Sequence, residues 1–154
     1  MLSFVFLQAE DGIRDLVRSR GLVDVYKRQI ECPDPVVFYE PKRRYWDKGE
    51  VAAQPGRGLF EAVTLRPGTD VTVLAYGPMV RTCLQAAQAA DEEGISLEVI
   101  DLRSLSPLDT APIFESVCRT GRRVMVHEAS TFLALGAELA PPNHQTGLHR
   151  CPRQ

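Results

Sequence analysis

The sequence predicts an α/β fold: three layers, with a mostly parallel sheet covered by helices on both faces, truncated relative to a complete domain of that kind. Two observations carry this reading. Between Asp70 and Glu128, three short apolar runs alternate with two segments of helical periodicity, giving strand, helix, strand, helix, strand. The middle run, LEVIDL, is nearly continuous in apolar residues, as a strand covered on both faces must be.

The elements follow in order. VTVLAY is a strand that stops at the breaker pair Gly77-Pro78. Pro78 suits the first turn of a helix, where its missing N–H costs nothing. Val80, Cys83, Leu84 and Ala87 then recur at helical spacing as one apolar stripe, and Gly94 supplies the stop. Asp91, Glu92 and Glu93 are unexpected at a helix C-terminus, where the dipole favours cations. After LEVIDL, Asp109 can cap a second helix, with Pro112 in its first turn, Ile113, Phe114 and Val117 on its buried face, and Gly121 at its end. VMVH is the third strand. Upstream, FEAVTL alternates before the Pro67-Gly68 turn and reads as an entry strand.

Composition narrows the function classes. The chain has 154 residues, a net charge of -2 and 25% charged residues. Lys42-Arg43-Arg44 is too short a basic cluster to track a phosphate backbone, so nucleic acid is not an expected partner. The apolar start MLSFVFL is far too short to span a membrane. Cys32, Cys83, Cys118 and Cys151 show no CxxC spacing; Cys83 and Cys118 are expected as small buried hydrophobes, in a reducing cytoplasm. No G-x-G-x-x-G follows the first strand, which argues against a dinucleotide-binding domain.

Several motifs occur in a distinctive order. LAYGPMV, EVIDLRSLSPLD and VMVHEA closely resemble the C-terminal domain of the beta subunit of thiamine-diphosphate-dependent 2-oxoacid dehydrogenases, a domain of the transketolase C-terminal type. DPVVFYEPKRRYW resembles the end of that subunit's pyrimidine-binding domain. The resemblance covers roughly residues 30 to 140. It divides the chain into the end of a pyrimidine-binding domain at 30–45, a linker at 46–59 and the transketolase C-terminal-like domain at 60–140. Glu40-Pro41-Lys42 and His127-Glu128-Ala129 look more like the branched-chain enzymes, while bacterial pyruvate-type subunits share much of the pattern; both substrates stay open. Transketolase and deoxyxylulose-phosphate synthase share the fold, but EPKRRYW argues against them. A stand-alone α/β interaction module is the other reading.

The two ends depart from that family. Residues 1–29 contain FLQAEDGIRDLVRSRGLVDVYKRQ, which resembles translated sequencing-adapter read-through. Glu10, Asp11, Asp15 and Asp24 make the segment too acidic for a transit peptide. Residues 141–154 open with Pro141-Pro142, where the family would continue a helix, and have no apolar periodicity; a shifted reading frame accounts for this most simply.

The resemblance implies a parent that oxidatively decarboxylates a 2-oxoacid and passes the acyl group to a lipoyl carrier. The parent would use thiamine diphosphate and magnesium, and would assemble from an alpha subunit, a second beta subunit and the lipoyl acyltransferase (E2) core. The catalytic glutamate and histidine of the beta subunit would lie upstream of Ile30, and the magnesium–diphosphate site on the alpha subunit. No catalytic or cofactor-binding residue is therefore expected in this chain, and the piece would serve assembly. Asp34 matches one half of the family's potassium site, with Cys32 where an aspartate is expected. Asp101 and Arg103 sit at the carboxyl end of a strand, where α/β sheets place functional groups; the resemblance makes them interface residues, and an internal role, with Arg103 tying the following loop, is the equal alternative. His127 and Glu128 are expected at the interface too. An acid–base pair between them is disfavoured, because sequence neighbours on a strand point to opposite faces.

Overall fold

The computed structural model describes residues 3–6, 32–39, 41–42, 58, 60–130 and 135–139. The bodies of the expected leader and linker, and all of 141–154, lie outside these residues. The strands are β1 (Ser3–Phe6), β2 (Val36–Tyr39), β3 (Val63–Arg66), β4 (Val71–Ala75), β5 (Leu97–Asp101), β6 (Ser104–Ser106) and β7 (Arg123–Val126). The helices are α1 (Met79–Glu92), α2 (Ala111–Thr120) and α3 (Leu135–Leu139). The chain forms two compact units, Met1–Glu61 with Arg103–Leu108, and Ala62–Leu102 with Asp109–Gln154.

The first unit holds a three-stranded sheet in the order β2-β1-β6, with β1 parallel to β2 and antiparallel to β6. β2 falls within residues 30–45. The sequence reading did not anticipate β1 or β6. β5 ends at Asp101, and Arg103 takes a left-handed φ of 52°. That turn redirects Ser104–Ser106 into the other sheet.

The second unit is the predicted three-layer domain. Its sheet runs β3-β5-β4-β7, with β4 parallel to both β5 and β7 and only the edge strand β3 antiparallel. In β4, Val73 and Ala75 join Val80, Cys83 and Ala87 of α1 in one buried cluster. The alternate residue Thr72 turns to the other face, where its hydroxyl meets Ser116 Oγ at 2.6 Å and Thr120 Oγ1 at 2.8 Å on α2. The two helices thus cover opposite faces of one strand.

Local chemistry sets the helix ends. Pro78 is the N-cap of α1, and Gly94, at φ 76°, follows its end. The acidic C-terminus of α1 has a partner: Arg66 of β3 forms an ion pair with Asp91. At α2 the cap is Thr110, one residue later than predicted. Asp109 still accepts the Ala111 amide at 3.3 Å, and its other oxygen accepts the Ala62 amide at 3.1 Å. Gly121 closes α2 at φ 68°, donating its amide to the Val117 carbonyl at 2.8 Å. The buried face of α2 is Ile113, Ser116 and Val117, with Phe114 only half-buried; Ser116 is tolerated inside because Thr72 satisfies its hydroxyl. Cys83 is buried as expected, whereas Cys118 is exposed and disulfide-bonded.

One buried charge ties the amino end of the sheet together. Glu98 lies within LEVIDL and is 3% exposed. Its Oε2 accepts the Gly68 amide at 3.4 Å and an ion pair from Arg119 at the end of α2. Gly68 packs so closely on the start of β5 that a Cβ there would lie 2.3 Å from the Glu98 nitrogen. Gly68→Ala is therefore expected to cost about 1–3 kcal/mol through forced backbone movement, read from urea denaturation.

Arg119→Met leaves the Glu98 carboxylate buried without its cation. The expected loss is about 2 kcal/mol, below the roughly 3–5 of a fully enclosed pair, because half the Arg119 side chain is in water. Adding Glu98→Gln should restore part of it, and a double-mutant cycle in urea checks this. Burial pushes the Cys83 thiol up from its ordinary 9.0 to about 11. The neutral thiol is favoured in the folded state, so its contribution is complete below pH 9 and lost as pH rises through about 11. At pH 8 a thiol reagent should label half-buried Cys32 well before Cys83.

Candidate functional site

The carboxyl ends of the parallel strands form the candidate site of the second unit. From β4 the chain crosses through α1 to β5 on one side, then returns through α2 to β7 on the other. The space beyond the ends of β4 and β7 is therefore a topological switch point, the place where open α/β sheets put functional groups. Tyr76 and Gly77 follow β4, Asp101 ends β5, and His127 and Glu128 follow β7. The Leu102 amide donates to the Ala75 carbonyl at 2.9 Å and holds β5 against β4 at this end.

His127 and Tyr76 meet there. Their ring centroids are 6.1 Å apart with planes inclined by 15°. Register explains the encounter: Ala75 faces Val126, so the next residue of each strand extends from the same face. Burial pushes the Tyr76 phenol up, keeping it neutral further into the alkaline range. α3 also approaches His127: a Cβ on buried Gly136 would lie 2.3 Å from Nε2. The imidazole thus lies near both an aromatic ring and a helix backbone. Among the described residues, its Nδ1 is buried without a hydrogen-bond partner. Glu128 is exposed. Half-buried and close to Tyr76 and Gly136, His127 has the surroundings of a packing residue.

The remaining sequence-predicted residues are dispersed. Asp101 is 6% exposed, at the floor of the strand ends. Arg103 belongs to the first unit, where its Nη1 donates to the Glu61 carbonyl at 3.3 Å and ties the loop that follows β5. Asp34 is exposed in a bend before β2, near half-buried Cys32 in sequence. Among the described residues, no three His, Cys, Asp or Glu side chains gather where they could hold a metal ion.

A cavity of about 430 Å³ lies at the opposite, amino end of the sheet, lined by Thr64, Gly68, Glu98, Glu115, Ser116 and Arg119 among others. Glu98 is its most buried charge, already engaged by Arg119 and the Gly68 amide, so the cavity is a gap beside a structural pair. The sequence reading passed over Glu98. Its signal was a carboxylate inside an otherwise apolar run, which is unusual unless paired.

The described residues do not fit a thiamine diphosphate–magnesium pair. They gather no metal-ligating cluster, and the turn after β4 offers a single glycine, Gly77, followed by proline, which has no amide proton to give a phosphate. No chemical step through the cofactor is assigned to this chain.

Comparison with known proteins gives the relationship. The family model for the transketolase C-terminal domain matches residues 61–151. The chain is 48% identical over 112 residues to the pyruvate dehydrogenase E1 component subunit beta of Leifsonia xyli, covering 72% of this chain and 33% of that one. It is 49% identical over 116 residues to the 3-methyl-2-oxobutanoate dehydrogenase subunit beta of Mycobacterium tuberculosis, covering 74% and 33%. It thus spans about a third of the length of these relatives. Among solved structures, a chain described as split gene transketolase, inactive beta4 tetramer, superposes with a TM-score of 0.63 at 25% identity, covering 98% of this chain and 45% of that one. A Pichia stipitis transketolase shares the fold, with a TM-score of 0.53 at 16% identity over 86% of this chain and 19% of that one. With more than half of its length matched by the family model and its second unit built as strand–helix–strand–helix–strand, the chain belongs to the transketolase C-terminal domain family.

Proposed function

We propose that this chain is the C-terminal portion of the beta subunit of a 2-oxoacid dehydrogenase E1 component, and that its own contribution is assembly rather than catalysis. The observation that carries this reading is the near-equal identity, 48% and 49%, to beta subunits of pyruvate and branched-chain 2-oxoacid dehydrogenases. The parent reaction would be oxidative decarboxylation of a branched-chain 2-oxoacid or pyruvate, with the acyl group passed to a lipoyl group. Thiamine diphosphate would supply the carbanion chemistry when bound by the whole enzyme, with magnesium on the alpha subunit.

The partners in this reading are the alpha subunit, a second beta subunit and the lipoyl acyltransferase core. Glu128, exposed beyond β7, and half-buried Arg103 and His127 would contribute to these contacts, with Asp101 supporting them from behind. The boundaries 30–45, 46–59 and 60–140 are kept as the end of a pyrimidine-binding domain, a linker and the C-terminal domain. Residues 1–29 and 141–154 are kept as foreign to the parent. Asp34 matches at best one half of a potassium site whose other ligands would lie upstream, and no ion is expected on this chain. The cytoplasm of a bacterium is the proposed location. No helix among the described residues is long and apolar enough to cross a membrane.

The test is a turnover assay of the 154-residue chain with thiamine diphosphate, magnesium, pyruvate or 3-methyl-2-oxobutanoate, and an artificial electron acceptor. No turnover above background is expected. Added to unfolded alpha and intact beta subunits during refolding, the chain should lower the yield of active enzyme by competing for assembly. Turnover by the chain alone, or no effect on reassembly, would count against the proposal.

A further inference from the structure

The cavity beside Glu98 keeps hydrogen-bonding capacity that the fold does not use. It is built from the Pro67–Thr69 turn, Glu98 of β5, and Pro112, Glu115 and Arg119 of α2, all within the second unit. The α2 residues recur at three- and four-residue spacing, so one helix face supplies a proline ring, a carboxylate and a guanidinium. Glu98 is 3% exposed. Among the described residues, both donors to its carboxylate, the Arg119 guanidinium and the Gly68 amide, fall on Oε2. Oε1 therefore keeps its acceptor capacity, and a carboxylate held this far from water gains most from a charged donor. Glu115 adds a second carboxylate at the exposed rim. Two carboxylates against one guanidinium leave the lining with an uncompensated negative charge.

Size and charge define the occupant. At about 430 Å³ the cavity falls in the range of small-molecule sites and is far larger than a bare ion. A coordinated metal does not suit it, because hard cations take several oxygens and no group of three metal-ligating side chains forms among the described residues. An anion would meet the excess negative charge of the lining. An ammonium group brings one positive charge and three donors, enough for Oε1 and Glu115 together. The rings of Pro67 and Pro112 give apolar surface for the carbon frame that carries it. We propose that this cavity binds a small organic cation through a primary ammonium group, held by Glu98 Oε1 and the Glu115 carboxylate, with its apolar frame against Pro67 and Pro112. The proposal stands on the cavity alone and does not rest on the enzymatic reading above.

The test is a titration of the full, isotope-labelled 154-residue chain with benzylammonium, followed through its amide resonances. Benzyl alcohol and benzoate serve as neutral and anionic controls on the same carbon frame. Saturable shifts at the Gly68 and Thr69 amides are expected with benzylammonium alone. Glu115→Gln should weaken that binding about threefold, the effect of removing one exposed charge contact. The fold should survive this change, because Glu115 is exposed. No saturable shift with benzylammonium overturns the proposal, as do equal shifts with either control or binding indifferent to Glu115→Gln.

Discussion

The second unit depends on the burial of β4 from both sides. Thr72, Val73, Leu74 and Ala75 are each at most 5% exposed, and β4 is paired along both edges. A strand so enclosed satisfies its backbone entirely through its neighbours, so β5 and β7 are required by β4 as much as they depend on it. Its side chains divide the layers. Val73 and Ala75 define the apolar contact with α1, while Thr72 reaches α2 through hydroxyls. The α1 contact is dispersion and burial, tolerant of small shifts. The α2 contact is directional, and it fixes the azimuth of that helix and hence the position of Arg119 over Glu98.

That placement explains a carboxylate in the middle of the sheet. A buried ion pair is a weak source of stability, since the desolvation of both groups offsets most of their attraction. Its value here is geometric. Glu98 joins three pieces at the amino end of the sheet: β5, the end of α2 through Arg119, and the Pro67–Thr69 turn through the Gly68 amide. The same turn is held again by Asp70, whose carboxylate accepts the Ser96 amide at 2.7 Å while its own amide donates to the Ser96 carbonyl at 2.9 Å. Polar groups thus fix this end of the sheet, and ring packing of Tyr76 against His127 accompanies the other.

The legible parts of the fold were those written in local periodicity. The stripe of Val80, Cys83 and Ala87, the breakers Gly77, Gly94 and Gly121, and the apolar run of β5 act within one element, so sequence alone displays them. What it hid was long-range. Asp91 looked misplaced at a helix end until β3 brought Arg66 to it, a partner 25 residues away. Ser116 is buried with its hydroxyl on Thr72, 44 residues away, a partner no local pattern shows. β6 was hidden because a three-residue strand has too short a pattern to read, and Arg103 gives no residue-type sign of its positive φ. At the candidate site, the neighbour relation of His127 and Glu128 was visible in sequence. The partner that the structure gives His127, Tyr76, was not, because it arrives on another strand.

The geometry also separates the domain's architecture from the chemistry of its relatives. A parallel sheet with a switch point has the layout of a ligand-binding domain, and the strand ends carry a tyrosine, a histidine and two carboxylates. Yet Tyr76 and His127 are turned against each other, Gly136 lies close to the imidazole, and Asp101 is inside the protein. Polar residues at a switch point become a reactive site only when their functional atoms converge on a shared space of substrate size. Here Tyr76 and His127 meet each other, while Asp101 is buried and Glu128 exposed. Such an arrangement can shape and stiffen a surface at the end of the sheet.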